Sequence, residues 1–354
     1  MSDRRKEAEE KMAKAIFISA DCWLCVFDLL PPSQLGLGIA LISHRFDFYI
    51  DKHFKTRKWA LGNILIGRKI GENGTKEMEI GNYCEPLPIP QIQMPRKVIG
   101  FRRITIFLID RNVIAFLHRF GQLFAACPIN LNIHTNNDRI LEFILRNIWS
   151  MIAKNIHGMD LSVGCFRRLR KFVPLILNDC PSLRVVFTNF DECFVEFPAD
   201  DNAMASDGQA VAKWLFTPLQ NNVPKMFKCW LHGNDGDLVT KVEAFKAAFA
   251  NASSHANFIV SICFSWHLTF SAVPFVLTNE LTREHLALKR TVYRNYFLLI
   301  RCPIARDESK WTKWEKEATD WQIYNQWNQI YVQIKDEDIG DGLLDEIPGP
   351  SDQH

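Results

Sequence analysis

Cys22 and Cys25 stand three residues apart, a spacing at which two thiolates can share a zinc ion. A structural zinc site takes four ligands. No second pair and no His-x-His cluster supplies the other two, so these thiols read as packed side chains. The other signatures of chemistry fail in the same way. There is no glycine loop for a phosphate, no His-Glu-x-x-His and no Gly-x-Ser-x-Gly. Asp336-x-Asp338 misses the calcium-loop pattern, because Gly340 takes a ligand position and Asp341 sits where glycine is needed. His44, His118 and His134 are scattered and read as surface or satisfied residues. Catalysis by this chain, a bound metal and a cofactor are therefore not expected.

Two groups of residues are suited to recognition instead. Arg167, Arg168, Arg170 and Lys171 alternate with Phe166, Leu169 and Phe172, which places the cations on the outer side of a helix. With Arg96, Lys97, Arg102, Arg103 and Arg111 they make residues 96–171 basic. This is either a solvated convex face or a patch for an acidic partner or nucleic acid. Trp311, Trp314, Trp321 and Trp327 are open to two readings as well. Tryptophans are common at interface hot spots, but the last unit of a repeat array also needs a cap over its open core.

The elements that position these residues follow from periodicity. Ile104–Leu108, Leu131–Ile133, Met159–Val163 and Leu183–Phe187 read as strands. Between them lie helical stripes at Val113–Ala126, at Ile140 to Ile152 and at Phe166 to Ile176. The strand centres recur about every 24 to 30 residues, and a helix ends at Cys-Pro at Cys127 and again at Cys180. Strand–helix units of this period predict a leucine-rich-repeat-like α/β solenoid with a mostly parallel sheet and helices on one side. Further strands are expected at 226–231, 258–264, 296–301 and 329–334, and helices at 209–216, 238–250 and 309–321. The acidic stretch 192–208 reads as a surface loop. Residues 309–334 are expected to cap the end of the array.

Upstream, Leu61 to Ile80 with Glu72-Asn73-Gly74 between its two runs reads as a hairpin. Pro86, Pro88, Pro90 and Pro95 then predict an extended spacer, or a ligand for a proline-recognising domain, with the main domain boundary near residue 95. Further toward the N-terminus, Ser19 is a candidate cap for a helix carrying Trp23, Val26, Phe27 and Leu30. Pro31-Pro32 stops it, and two more short helices follow, with Leu35 to Leu41 and then Phe46, Tyr49, Ile50 and Phe54 apolar. Three helices in about forty residues bury too little surface to be secure alone, so an apolar face here is expected to meet a partner.

This N-terminal segment resembles an F-box. The likeness rests on Asp21, on the Leu29-Leu30-Pro31-Pro32 break, on Leu35, on Ile42-Ser43-His44-Arg45-Phe46 and on Trp59. Ser19 stands where a proline is customary and Phe46 where a tryptophan is, and the second helix is longer than is customary by one residue, with Gly36 and Gly38 in it. Over nearly its whole length the chain also resembles an expanded nematode family of F-box proteins. The resemblance implies a charged N-terminal extension (1–16), an F-box (17–60), a hairpin and Pro-rich linker (61–95), a repeat-like recognition domain (96–335) and an acidic disordered tail (336–354). It implies a non-catalytic subunit of a cullin–RING ubiquitin ligase. That subunit would meet an SKP-type adaptor, and through it a cullin, by Ile18, Trp23, Val26, Phe27, Leu30, Pro31, Leu35, Ile42, Arg45 and Phe46, and would hold an unknown target by the repeat domain. A ligase-independent interaction scaffold is the alternative.

Composition agrees with a folded, non-membrane chain: 354 residues, 47% hydrophobic, net charge +2, and no apolar run of spanning length. The stretch after residue 16 carries Asp21 and lacks a small-residue cleavage site, so no export is expected. The ten cysteines then read as reduced thiols of a cytoplasmic or nuclear protein. The sequons at Asn73 and Asn251 read as chance matches.

Overall fold

The computed structural model describes residues 18–30, 32–56, 59–68, 76–80, 98–135, 137–188, 194–231, 235–264, 273–291, 296–320, 322 and 326–340. Pro31, Arg96, Lys97 and Trp321, together with the proline run and the acidic tail from 341, lie outside them.

Three helices open the described chain: α1 (Ala20–Phe27), α2 (Pro32–Leu37) and α3 (His44–Thr56). Ser19 caps α1 by accepting from the Cys22 N–H, so an orphan donor of the first turn is satisfied. Trp23 stacks edge-on against Phe46 at 4.8 Å and lies 6.1 Å from Phe27. Phe27, Leu35, Ile50 and Phe54 are buried in the same core as Leu61, Ile64 and Ile66 of β1 (Trp59–Arg68). The helices are therefore seated on the main body and not separated from it.

The sheet has twelve strands in the order β2-β1-β3-β12-β4-β5-β6-β7-β8-β11-β10-β9. The ranges are β2 (Lys76–Ile80), β3 (Val98–Ile106), β4 (Ile129–Ile133), β5 (Ile156–Leu161), β6 (Val185–Thr188), β7 (Lys225–Leu231) and β8 (Phe258–Phe264). They continue with β9 (Phe275–Asn279), β10 (Glu284–Arg290), β11 (Tyr296–Pro303) and β12 (Gln329–Val332). From β1 to β8 every neighbouring pair is parallel, while β2 at one edge and β11, β10 and β9 at the other are antiparallel. The fold is thus α/β with a large, mostly parallel sheet.

The helices α4 (Arg111–Arg119), α5 (Gly121–Ala126), α6 (Asp138–Ile144, running on through a π turn), α7 (Val163–Phe172), α8 (Asp207–Phe216) and α9 (Asp235–Ala250) connect the strands. Their apolar stripes share one core with one face of the sheet: Val113, Leu117, Ile140, Leu169, Leu215 and Phe245 against Ile104, Leu131, Met159, Val186, Phe227 and Val260. Asp110, Asn137, Ser162 and Ser206 cap α4, α6, α7 and α8. At Cys127 the chain leaves the helical region for φ −132°, ψ 148° ahead of Pro128, which is why α5 ends there.

Three expectations are corrected. The boundary near residue 95 does not divide the sheet, because β1 and β2 are part of it and β1 pairs in parallel with β3. The 309–334 segment does not cap an end of the array. Its helix α10 (Glu308–Asp320) crosses the second face of the sheet, where Trp311 and Ala318 pack with Val185, Met226, Ile259, Leu298 and Ile300. Its strand β12 then inserts between β3 and β4, so strand order does not follow chain order there. The acidic stretch is not wholly at the surface either, since Phe194 and Val195 are buried in the core.

Candidate interaction surfaces

On the N-terminal helices the residues expected to dock a partner divide into two sets. Phe27 and Leu35 are each 1% exposed. They are core, not surface, because the helices must cover β1, and the expectation that they meet a partner is corrected. Trp23, Leu30 and Phe46 are half-buried against the same core. Ile18, Val26 and Ile42 are exposed. Arg45 donates from Nε to the Tyr49 hydroxyl at 3.1 Å and from Nη2 to the Ile18 carbonyl at 3.4 Å, tying the residues that lead into α1 to α3. Leu29, Leu41 and Phe48 are also exposed, Leu29 by 84% and Phe48 by 65%. Periodicity could have singled out Phe48, which lies off the stripe of Phe46, Tyr49, Ile50 and Phe54. These exposed apolar side chains all belong to one small unit.

Of the basic stretch on α7, Arg170 is corrected as a partner-binding residue. Arg170 is 7% exposed and donates to Asp207 Oδ1 at 3.0 Å, to the Ala205 carbonyl at 2.9 Å and to the Asn202 carbonyl at 3.1 Å. Arg167 reaches Asp207 Oδ2 at 3.0 Å, and Arg168 reaches Asp138 at 3.2 Å. Arg167 and Arg170 fasten the start of α8 and the loop before it to α7, and Arg168 ties α7 to α6. Lys171 is exposed. Of the tryptophans, Trp311 is buried with Trp314 edge-on at 5.4 Å, while Trp327 is half-exposed beneath the Arg102 guanidinium.

The second face of the sheet changes character across the strands. Under α10, on β6, β7, β8 and β11, it is apolar. On β3, β12, β4 and β5 it is polar, with two transverse rows fixed by the register: Arg103, Gln329, Asn130 and then Thr105, Tyr331, Asn132, Asp160. Alternation along β4 (Ile-Asn-Leu-Asn-Ile) sends the apolar side chains to the core and the amides to this face. Asn132 donates to Asp160 Oδ2 at 3.0 Å, and Asn130 donates to the Trp327 carbonyl at 2.9 Å. The Arg103 guanidinium sits 4.7 Å from the Tyr331 ring centre, and the His134 ring lies 5.4 Å from it. Burial pushes the Asp160 acid up to about 7 and His134 down. Where β12, β4 and β5 end there is a cavity of about 630 Å³ lined by His134, Thr135, Asn137, Ile140, Ser162, Gln333, Ile334 and Lys335.

Among the described residues no three His, Cys, Asp or Glu come together for a metal, and no helix is long and apolar enough to cross a membrane. Of the eight described cysteines only Cys22 and Cys25 are exposed. Burial raises the Cys127 thiol to about 11 and the Cys165 thiol to about 12, so both stay protonated and unreactive. Alkylation of the native chain should therefore label Cys22 and Cys25 among these eight, with the other six labelled only after denaturation. Peptide mass mapping checks this, and early labelling of Cys165 or Cys229 would contradict the packing. No family model, curated protein or solved structure matches the chain.

Proposed function

We propose that this chain is the target-recognition subunit of an SCF-type cullin–RING ubiquitin ligase. The N-terminal helices act as an F-box that docks an SKP-type adaptor, and the sheet domain holds the target. In finer detail, the units from β4 to β8 are read as a degenerate leucine-rich-repeat-like array. The role is non-catalytic: the chain contributes proximity between target and transferred ubiquitin. It belongs to the cytoplasm or nucleus.

The observation that carries this reading is the exposed apolar set Ile18, Val26, Leu29, Leu41, Ile42 and Phe48 on a unit whose own core is already complete. The helices' attachment to β1 through a shared core also suits a subunit that must hold a target at a fixed distance from the ligase.

The test is co-purification of the intact chain with a purified SKP-type adaptor. Ile42→Asp and Leu29→Asp replace exposed side chains, so each should leave the melting temperature unchanged. Each should weaken adaptor binding about thirty-fold or more, the effect of losing a hot-spot contact of about 2 kcal/mol. A folded wild-type chain that binds no adaptor would leave the ligase-independent scaffold as the better reading. Variants that bind like wild type would move the docking surface elsewhere.

A further inference from the structure

Cys22 and Cys25 are exposed, unlike the other described cysteines, and neither is packed as the sequence suggested. They lie on α1 three residues apart. The rise and radius of an α-helix put two such Cα atoms about 5 Å apart, inside the range of about 4.4–6.8 Å that a disulfide spans. Their Cβ atoms, about 5–6 Å apart on a regular helix, must close to about 3.5–4.5 Å for the bond to form. The turn between them therefore has to tighten. It belongs to a helix of 8 residues, in which every turn is near a fraying end.

No other chemistry competes for the pair. Two thiolates are too few for a structural zinc, and among the described residues no cluster of His, Cys, Asp or Glu completes a site. The other six described thiols are buried. Burial raises Cys180, Cys263 and Cys302 as it does Cys127 and Cys165, which keeps them protonated and out of exchange.

The place of the thiols on α1 matters as much as their spacing. Projected along the helix, Ile18, Cys22, Cys25, Val26 and Leu29 fall in one stripe about 100° wide. All of them are exposed. Trp23, Leu24 and Phe27 turn to the core instead. Trp23 stands between the two cysteines in the chain and meets Phe46 of α3 edge-on at 4.8 Å. Ser19 Oγ donates to Cys22 Sγ at 3.2 Å and accepts from the Cys22 N–H at 3.3 Å, so the cap is tied to the same residue. Tightening the turn thus disturbs the cap, presses Trp23 against α3 and moves Ile18 and Val26 relative to Ile42.

We propose that Cys22 and Cys25 are a redox modification site, which a small disulfide of the glutathione class converts to a reversible disulfide within α1, releasing the adaptor. The release rests on the reading of the N-terminal helices as the adaptor-docking unit, and the disulfide does not. The step is thiol–disulfide exchange. One protein thiolate attacks a sulfur of the small disulfide, forming a mixed disulfide and expelling one small thiolate. The second protein thiol, its proton passing to water, attacks the protein sulfur of that mixed disulfide and expels the other. The protein loses two electrons and two protons, and the oxidant leaves as two thiols. A bond that is exposed and closes only on a tightened turn is of the labile kind that excess thiol reopens.

The experiment treats the intact chain with oxidised glutathione, alkylates it and digests it. Trypsin releases residues 15–45 as one peptide that holds no other cysteine. This peptide should be lighter by two hydrogens and unalkylated, and dithiothreitol should restore both alkylation sites. Adaptor co-purification on the same samples should weaken about thirty-fold or more on oxidation, as for loss of a hot-spot contact, and recover on reduction. The double variant Cys22→Ser with Cys25→Ser should bind equally with and without the oxidant. A peptide that stays a dithiol, carries glutathione or is linked to another peptide would overturn the site. Closure with unchanged binding, or a loss of binding that the double variant also shows, would overturn the switch. A reduced chain that binds no adaptor counts against the docking reading alone, and the peptide mass still decides the disulfide.

Discussion

A chain ended after Asp320 should fail to fold, although it keeps eleven of the twelve strands. The missing strand is β12, and it lies inside the sheet. Its backbone pairs on one side with Arg103–Ile106 and on the other with Asn130–Ile133. The ladder extends past both ends: Asn328 N–H donates to the Phe101 carbonyl at 2.8 Å, Asn328 Oδ1 accepts from Phe101 N–H at 2.9 Å, and Gln333 N–H donates to the Ile106 carbonyl at 3.0 Å. Asn328 holds φ 56°, a left-handed geometry that asparagine tolerates better than most residues. It sits so close to Gly100 that a Cβ there would lie 2.6 Å from Asn328 Oδ1.

Truncation also exposes the cavity left by Ile330, Val332, Ile334 and Ile339, all 6% exposed or less. At about 1.5–3 kcal/mol for each buried aliphatic side chain, that is about 6–12 kcal/mol. A whole domain has about 5–15 kcal/mol to lose. The 1–320 chain should accumulate in the insoluble fraction or show no cooperative melt, whereas 1–340 should melt like the full chain. A cooperative 1–320 melt within a few degrees of full length would show that β12 is dispensable. The same geometry implies that the sheet cannot close around β3 and β4 until the last strand has been synthesised, which is pairing of very high sequence separation and slow to form.

How much of this was legible beforehand depends on whether a signal is local. Strands β3 to β8 show as apolar or alternating runs such as Ile104–Leu108, Leu131–Ile133 and Phe258–Phe264, and the parallel register of β4 with β5 agrees with their spacing. Gln329–Val332 also alternates, but alternation states only that a strand has two different faces. It does not name its neighbours, so a C-terminal strand placed between β3 and β4 looked like a terminal one. The Trp311 and Trp314 stripe predicted a helix face that packs, but not which face of the sheet receives it.

Charge was the least legible feature. Arg167 and Arg170 form a basic run in sequence, but their carboxylate, Asp207, lies about forty residues downstream and comes close only through the α7–α8 packing. Asn132 and Asp160 meet through strand register, which pattern reading does not supply. At the N-terminus the apolar stripe identified Phe27 and Leu35 as important without telling whether they face a partner or β1. The apolar face of β1 needs covering, and that makes them core.

Glu284→Gln should be among the most destabilising single substitutions in the chain, at about 3–5 kcal/mol, the usual effect of leaving one member of a buried ion pair unpaired. Glu284 is 1% and Arg301 0% exposed. In the β10–β11 register Leu286 stands opposite Arg301 and Glu284 opposite Pro303, so the pair is a diagonal one across the hairpin. Arg301 donates from Nε and Nη2 to Glu284 Oε2 at 3.0 and 2.6 Å, and from Nη2 to the Ser254 carbonyl at 2.6 Å. The other carboxylate oxygen accepts the Ala256 N–H at 3.0 Å. The guanidinium lies 5.2 Å from the Phe216 ring centre and 5.4 Å from that of Phe249. One pair therefore ties α8, α9, the loop before β8, β10 and β11 together where the sheet turns from parallel to antiparallel.

Glutamine cannot neutralise the guanidinium, and water cannot reach it. At roughly 2 °C per kcal/mol for a large chain, the melting temperature should fall by roughly 6–10 °C. Glu243, which pairs with Lys246 at the surface and is 60% exposed, provides the comparison. Its change to Gln should cost under about 1 kcal/mol. The double variant Glu284→Leu with Arg301→Met removes both charges, so it should be milder than either single change. Thermal melts of Glu284→Gln, Glu243→Gln, the double variant and its two singles, Glu284→Leu and Arg301→Met, against wild type decide the matter. Equal shifts for Glu284→Gln and Glu243→Gln, or a double variant worse than the sum of its singles, would show that the pair's charge is not what holds this end of the sheet.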